Sequence, residues 1–353
     1  MWRALHRSGN ALCAPLAARH QCYSVLSFLS ARKKLVPRER HAPPPPLPPA
    51  QYLQIQGRST IEYIDIKPQL TPPALEEPVT LVFLHGAPGS YQDFRYLIPL
   101  VRQPGVRILG LNLPGYEGST VVKTRFLEDI SALPTAELVL DAVRQLCGDQ
   151  EASNNVFLVG HSFGAHTAIN ITALNAAETQ GTATTAVSFR GLALLAPVGC
   201  SPHHVMRPRA NALVIRMLGS RNPLLAGVTP HLVKAIYTKL LRFPRDSPPE
   251  PFVAAVVRAG TTDFAVIRQQ VAALRSLRMP MLVAWAQNDE YVQEEIPTEL
   301  ARLCQADVRL AFVDGGHNIQ KTRAEQVAVA MNKWVEGVLS TSSDEGLREQ
   351  RKT

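Results

Sequence analysis

No Asp or Glu appears before Glu39, and that gap is the first of several absences in this 353-residue chain. Its five cysteines (Cys13, Cys22, Cys147, Cys200 and Cys304) are odd in number and far apart, with no Cys-x-x-Cys and no paired Cys/His spacing. Neither a disulfide framework nor a zinc site is written there, and free thiols in a reducing compartment are the expectation. The apolar run at 22–30 falls well short of the roughly 20 residues that cross a bilayer. No basic stretch is interleaved with aromatics, which argues against nucleic acid as a partner. There is also no internal repeat, so a solenoid or propeller is excluded.

What is present is 46% hydrophobic and 19% charged, enough to bury a sizeable core. The net charge of +8 is segregated along the chain: +7 in 1–41, −4 in 42–198, +9 in 199–280 and −4 in 281–353. The acid-free, Arg-, Ala-, Leu- and Ser-rich start has the composition of a mitochondrial transit peptide; a cytoplasmic protein with a basic tail is the alternative. "APPPPLPPA" at 42–50 reads as a polyproline II linker that stays out of any core. At the other end, 341–353 is polar and uncapped, and is expected to be disordered.

Between these ends, short apolar runs alternate with helical patterns. "YLQIQ" and "TIEYIDI" alternate polar and apolar as an antiparallel hairpin does. The runs at 79–86, 106–115, 156–160, 192–197, 281–287 and 308–316 are nearly continuous, which marks strands covered on both faces in a parallel sheet. Helices are expected near 91–103, 134–147, 163–178 and 322–339. The pattern predicts an α/β, doubly wound sheet of eight strands, with a core at 51–198 and 280–340. Residues 199–279 are too many for one crossover and are read as an inserted helical cap, including "NALVIRMLGS" and "HLVKAIYTKLLRF".

Ligands of such sheets bind at the carboxyl ends of the strands, and four unusual stretches fall there. "VFLVGHSFGAH" places Ser162 on a turn between strand and helix, with Gly160 and Gly164 where a Cβ would collide with neighbouring backbone. "LHGAPGS" follows the strand expected beside it. The N–H groups of Ala87 and Phe163 are positioned to bind an oxyanion, with Gly86 and Pro88 shaping the loop and His85 holding it. "WAQNDEYV" supplies Asp289, with Glu290 and the more distant Asp263 as alternative acids; "TTDF" around Asp263 reads as a helix N-cap. "VDGGHNIQ" supplies His317. The other histidines lie in the leader, in the cap, beside the elbow or, for His85, in the oxyanion loop. The order Ser162, Asp289, His317 is that of nucleophile, acid and base, which predicts attack of the serine hydroxyl on an acyl carbon.

"HGAPGS", "NLPGYEGS", "GHSFG", "NDEYV" and "GGH", in this order, resemble the α/β-hydrolase superfamily over about residues 52–340. The resemblance implies the eight-stranded fold, the cap and the Ser162–Asp289–His317 triad, with no metal and no organic cofactor. "HGAPG" with a cap is closer to epoxide hydrolases, carbon–carbon bond hydrolases and proline iminopeptidases than to "HGGG" lipases. Epoxide hydrolases and dehalogenases of this fold carry aspartate at the elbow, where this chain has Ser162. Asn112 stands where many relatives have aspartate, at a loop position outside the triad. The expected activity is hydrolysis of an ester, thioester or amide. The alternatives are acyl transfer and a catalytically silent binding protein. The expected partner is a small acyl substrate, anionic or lipid-like, and the basic cap is a candidate for peripheral membrane contact.

Overall fold

Among the described residues of the computed structural model, five of the nine strands carry buried side chains in unbroken or near-unbroken series, which is why they read as apolar runs. The structure describes residues 43–69, 78–148, 155–179, 187–239 and 243–350, the side chains of 342–350 excepted. The basic leader expected at 1–41 lies outside the described residues. From Pro45 onward the chain is one compact unit.

Strands β1 (Gln51–Ile55) and β2 (Ser59–Ile66) form the antiparallel hairpin. Then come β3 (Val79–Leu84), β4 (Val106–Leu111), the short β5 (Thr120–Val121), β6 (Val156–His161), β7 (Phe189–Leu195), β8 (Met281–Ala286) and β9 (Val308–Phe312). The sheet order is β1-β2-β4-β3-β6-β7-β8-β9, parallel from β4 to β9, with β5 paired to β2 off this path. Among the described residues nine strands replace the eight expected, the ninth being β5; two residues are too few to leave a hydrophobic pattern. Alternate residues of β3 enter opposite cores: Val82 and Leu84 in one, Leu81 and Phe83 in the other. Both faces are covered, as a parallel sheet requires.

Among the described residues, eight helices of more than one turn flank or extend the sheet: α1 (Ala132–Cys147), α2 (Phe163–Thr179), α3 (Pro208–Leu218), α4 (Pro223–Lys239), α5 (Glu250–Thr261), α6 (Phe264–Ser276), α7 (Glu295–Leu303) and α8 (Ala324–Gln350). None among the described residues is long and apolar enough to cross a membrane. Four details differ from the sequence reading. The helix expected over 91–103 is two single turns, Tyr91–Phe94 and Ile98–Val101, because Pro99 can neither donate to Arg95 nor fit its ring against that carbonyl. Leu47, expected to stay out of any core with the rest of the linker, packs on the core that holds Phe83 and Trp334; an isolated leucine among prolines still has an apolar side chain to bury. Residues 341–350, expected to be disordered, continue α8, since extending a formed helix requires no new nucleus. Finally, α6 was placed in the cap, yet it packs on α2 and buries Ile267, Val271 and Leu274 in the main core. The inserted helices are therefore α3 to α5.

One polar interaction ties the hairpin to the parallel sheet. Arg107 of β4 binds Asp65 of β2 through Nε and Nη2 at 3.0 and 2.8 Å, and its Nη1 donates to the Leu146 carbonyl at 2.9 Å. Burial works against ionisation of Asp65, but Arg107 and Lys67 outweigh it and hold the carboxyl below its ordinary value. Such a group contributes stability that is complete above that value and lost as the pH falls through it. Arg107→Met should therefore cost about 3 kcal/mol at neutral pH. In urea unfolding, the gap from wild type should close below about pH 4; a gap that stays constant with pH would refute this account.

Candidate active site

At the end of β6 the chain must turn from strand into α2 within one residue, and Ser162 takes that turn at φ +54°. This is the left-handed region that side chains rarely adopt, so the surrounding contacts must hold it. Ser162 N–H donates to the Leu195 carbonyl at 3.0 Å, and its own carbonyl accepts from Ala165 at 3.1 Å. A Cβ on Gly160 would lie 2.6 Å from the Gly164 carbonyl oxygen, and one on Gly164 would overlap the Leu84 carbonyl. Because β3 and β6 pair with Leu84 opposite Gly160, the loop after β3 ends level with the serine.

That loop is fixed by a neutral histidine. Leu113 N–H donates to His85 Nε2 at 2.9 Å, so the ring proton is on Nδ1 and is donated to the Gly86 carbonyl at 2.6 Å. Complete burial pushes the His85 pKa down to about 3. At the far end of the loop, Ser90 and Asp93 cap each other: Ser90 N–H donates to the Asp93 carboxylate, and Gln92 N–H donates to Ser90 Oγ. A Cβ on Gly86 would come 3.0 Å from Ser162 Cβ, so the loop backbone lies directly against the serine. Ala87 and Phe163 pack in one apolar cluster with Val198, Val292 and Ile296. Phe163 is the first residue of α2, and its N–H belongs to the helix-start donors that have no intrahelical acceptor.

His317 Nε2 lies 2.9 Å from Ser162 Oγ, and His317 Nδ1 lies 2.7 Å from Asp289 Oδ2. A carboxylate accepts only, so Nδ1 carries the proton and Nε2 is left to accept from the serine hydroxyl. Burial opposes ionisation of Asp289. The His317 ring, with the N–H groups of Val292 and Tyr291, outweighs that and holds the carboxyl below its usual value. Those two amides donate to Asp289 Oδ1 at 3.0 and 2.8 Å. The alternatives left open by sequence separate here: Glu290 accepts from the His317 backbone N–H at 3.0 Å, and Asp263 caps α6. All three expected residues are brought together, each from the end of a different strand.

Sequence alone assigned several neighbours no role at the site. His161 Nε2 meets the His317 carbonyl at 3.0 Å and is pushed by burial to a pKa of about 3, so it donates as a neutral ring. His203, set aside with the inserted segment, stands edge-on to Phe163, and burial pushes it to about 4. Asn112 explains its departure from aspartate. Its Oδ1 accepts from Tyr91 N–H, while its Nδ2 donates to the Glu62 carboxylate, which a second carboxylate there could not do. Arg258 of α5 is 2% exposed, and its Nη2 donates to the Phe163 carbonyl at 3.2 Å. Burial lowers its pKa, with the nearby Tyr116 hydroxyl opposing that shift, and among the described residues it has no carboxylate partner. Among the described residues no three His, Cys, Asp or Glu side chains are grouped to hold a metal ion.

A family model described as "Alpha/beta hydrolase family" matches residues 81–330, from β3 into α8. The chain belongs to this family. Among curated proteins, this alpha/beta hydrolase is similar to epoxide hydrolase B of Mycobacterium tuberculosis, at 30% identity over 138 residues. The match spans 39% of this chain and 36% of that protein, about a third of the relative's length. Among solved structures, haloalkane dehalogenase DbeA from Bradyrhizobium elkani superposes with a TM-score of 0.58 at 18% identity, over 83% of this chain and 99% of the other. An esterase from Exiguobacterium antarcticum gives 0.56 at 14% identity, over 81% and 98%. At these identities the likeness is one of fold.

The contact between α2 and β3 generates a prediction. Gly164→Ala must push the Leu84 carbonyl away, and overpacking of this kind costs about 2 kcal/mol or more. Calorimetry should show a lowered Tm. An unchanged Tm would mean that the strand and helix can separate without penalty.

Proposed function

We propose that the protein is a serine hydrolase that cleaves an ester, thioester or amide through an acyl-enzyme. The observation that carries this reading is the unbroken relay from Asp289 to His317 to Ser162, at 2.7 and 2.9 Å. In this reading His317 Nε2 removes the Ser162 proton as Oγ attacks the acyl carbon. Asp289 keeps the proton on Nδ1 and stabilises the imidazolium that forms. The N–H groups of Ala87 and Phe163 receive the oxyanion, helped by the N-terminal end of the α2 dipole. His317 then returns the proton to the leaving group. Water activated by the same nitrogen releases the acid and restores the hydroxyl.

The same steps would serve acyl transfer if an alcohol or amine replaced water. Epoxide opening is not carried over from the Mycobacterium relative. By the resemblance read from sequence, such enzymes use an elbow aspartate, and Ser162 holds that place here.

Reaction with a fluorophosphonate tests the reading without knowledge of the substrate. The wild-type protein should label, while Ser162→Ala and His317→Ala should not. Asp289→Asn should slow labelling by about 10⁴-fold, because it removes the acceptor that fixes the tautomer. Folded wild-type protein that never labels would sink the proposal and favour a silent binding role.

A further inference from the structure

Twelve large hydrophobic side chains are exposed among the described residues, and half of them lie on two consecutive helices. Leu213 on α3 is 58% exposed; on α4, Leu224, Leu225, Val228, Leu232 and Ile236 range from 39% to 77%. Positions 224, 228, 232 and 236 recur at i+4 and so form one stripe along the outside of α4. A neighbouring side of the same helix buries Thr229 and Val233. A helix that meets water on its apolar side is not explained by packing on its own core.

The charges around the stripe are of one sign. Residues 199–245 contain no Asp or Glu. Arg207, Arg209, Arg216, Arg221, Lys234 and Lys239 stand on or beside the two helices, and none of them forms an ion pair among the described residues. Two copies of this chain joined by this face would set cations against cations with no acid to pair them. An anionic bilayer complements both features at once, since it offers an apolar layer beneath a negative surface.

We propose that α3 and α4 form a docking surface for anionic phospholipid membranes, with the α4 stripe in the headgroup–acyl boundary and the six cations among the lipid headgroups. Ala226 and Pro230, on the side of α4 away from the stripe, line a cavity of about 530 Å³ with Leu127, Leu218 and Val253. Docking itself is independent of the chemistry at Ser162.

Co-sedimentation of the full chain with vesicles tests this. Wild-type protein should pellet with phosphatidylcholine–phosphatidylserine vesicles, pellet far less with phosphatidylcholine alone, and be released by high salt. Val228→Glu with Leu232→Glu should weaken pelleting roughly tenfold or more, and Arg216→Gln with Arg221→Gln about fivefold per charge. Wild type and variants share the same basic leader, so differences among them report on the helices alone. The substituted positions are exposed, and an unchanged Tm with unchanged fluorophosphonate labelling would show that fold and elbow survive. Failure to pellet with anionic vesicles overturns the proposal. So does pelleting that the four substitutions leave unchanged, or a concentration-dependent doubling of mass that Val228→Glu abolishes, which would assign the face to a second copy.

Discussion

The carbonyls of Leu84 and His85 approach Gly164 so closely that no side chain can stand between β3 and the first turn of α2. Gly160 meets the same turn from the other side, against the backbone of Gly164 and Ala165. These two contacts leave Ser162 one backbone conformation, with φ at +54°, and that conformation lifts its side chain off the sheet. The rest of the site follows from strand pairing. With Leu84 opposite Gly160, the loop after β3 and the turn after β6 are forced to the same height. Chain order alone puts His85 and Ser162 77 positions apart; the sheet makes them neighbours.

The second half of the site depends on backbone amides. Asp289 is held by two N–H groups of the residues that follow it, so its carboxylate is oriented before His317 arrives. His317 comes from a turn with Gly315 and Gly316 at φ 141° and 64°, a mobile kind of backbone when isolated. Its placement is secured from outside that turn: Glu290 takes its N–H and His161 takes its carbonyl. Two buried neutral rings, His85 and His161, thus serve as fixed hydrogen-bonding struts. Burial makes protonation so unfavourable that both rings stay neutral.

What sequence made legible was whatever leaves a local mark. A glycine frame around a serine reports a backbone requirement, and an unbroken apolar run reports two covered faces, so the elbow and the sheet could be read directly. Sequence points to Asp289 as the acid and leaves Glu290 open beside it, because adjacent residues differ only in where the turn aims them. Arg258 and His203 were invisible for a different reason. They sit 95 and 40 residues from Phe163 of the elbow and reach it only because α5 and the chain after β7 fold back over it. Composition misled at the C-terminus, where a polar stretch continues a helix whose apolar part was already formed. At α6, sequence position was mistaken for spatial membership.

The three inserted helices differ in how firmly they are held. No residue of α3 is buried and only two of α4 are, whereas α5 buries seven, including Arg258 beneath the elbow. The hydroxyl of Thr261, at the end of α5, also accepts from Ala132 N–H at the start of α1. Resistance to local opening rises with buried apolar contact, so the insertion is graded along its length. Withdrawing α5 would uncover the core and strip the Phe163 carbonyl of its cation, a cost that lifting α3 or α4 would not carry in the same measure.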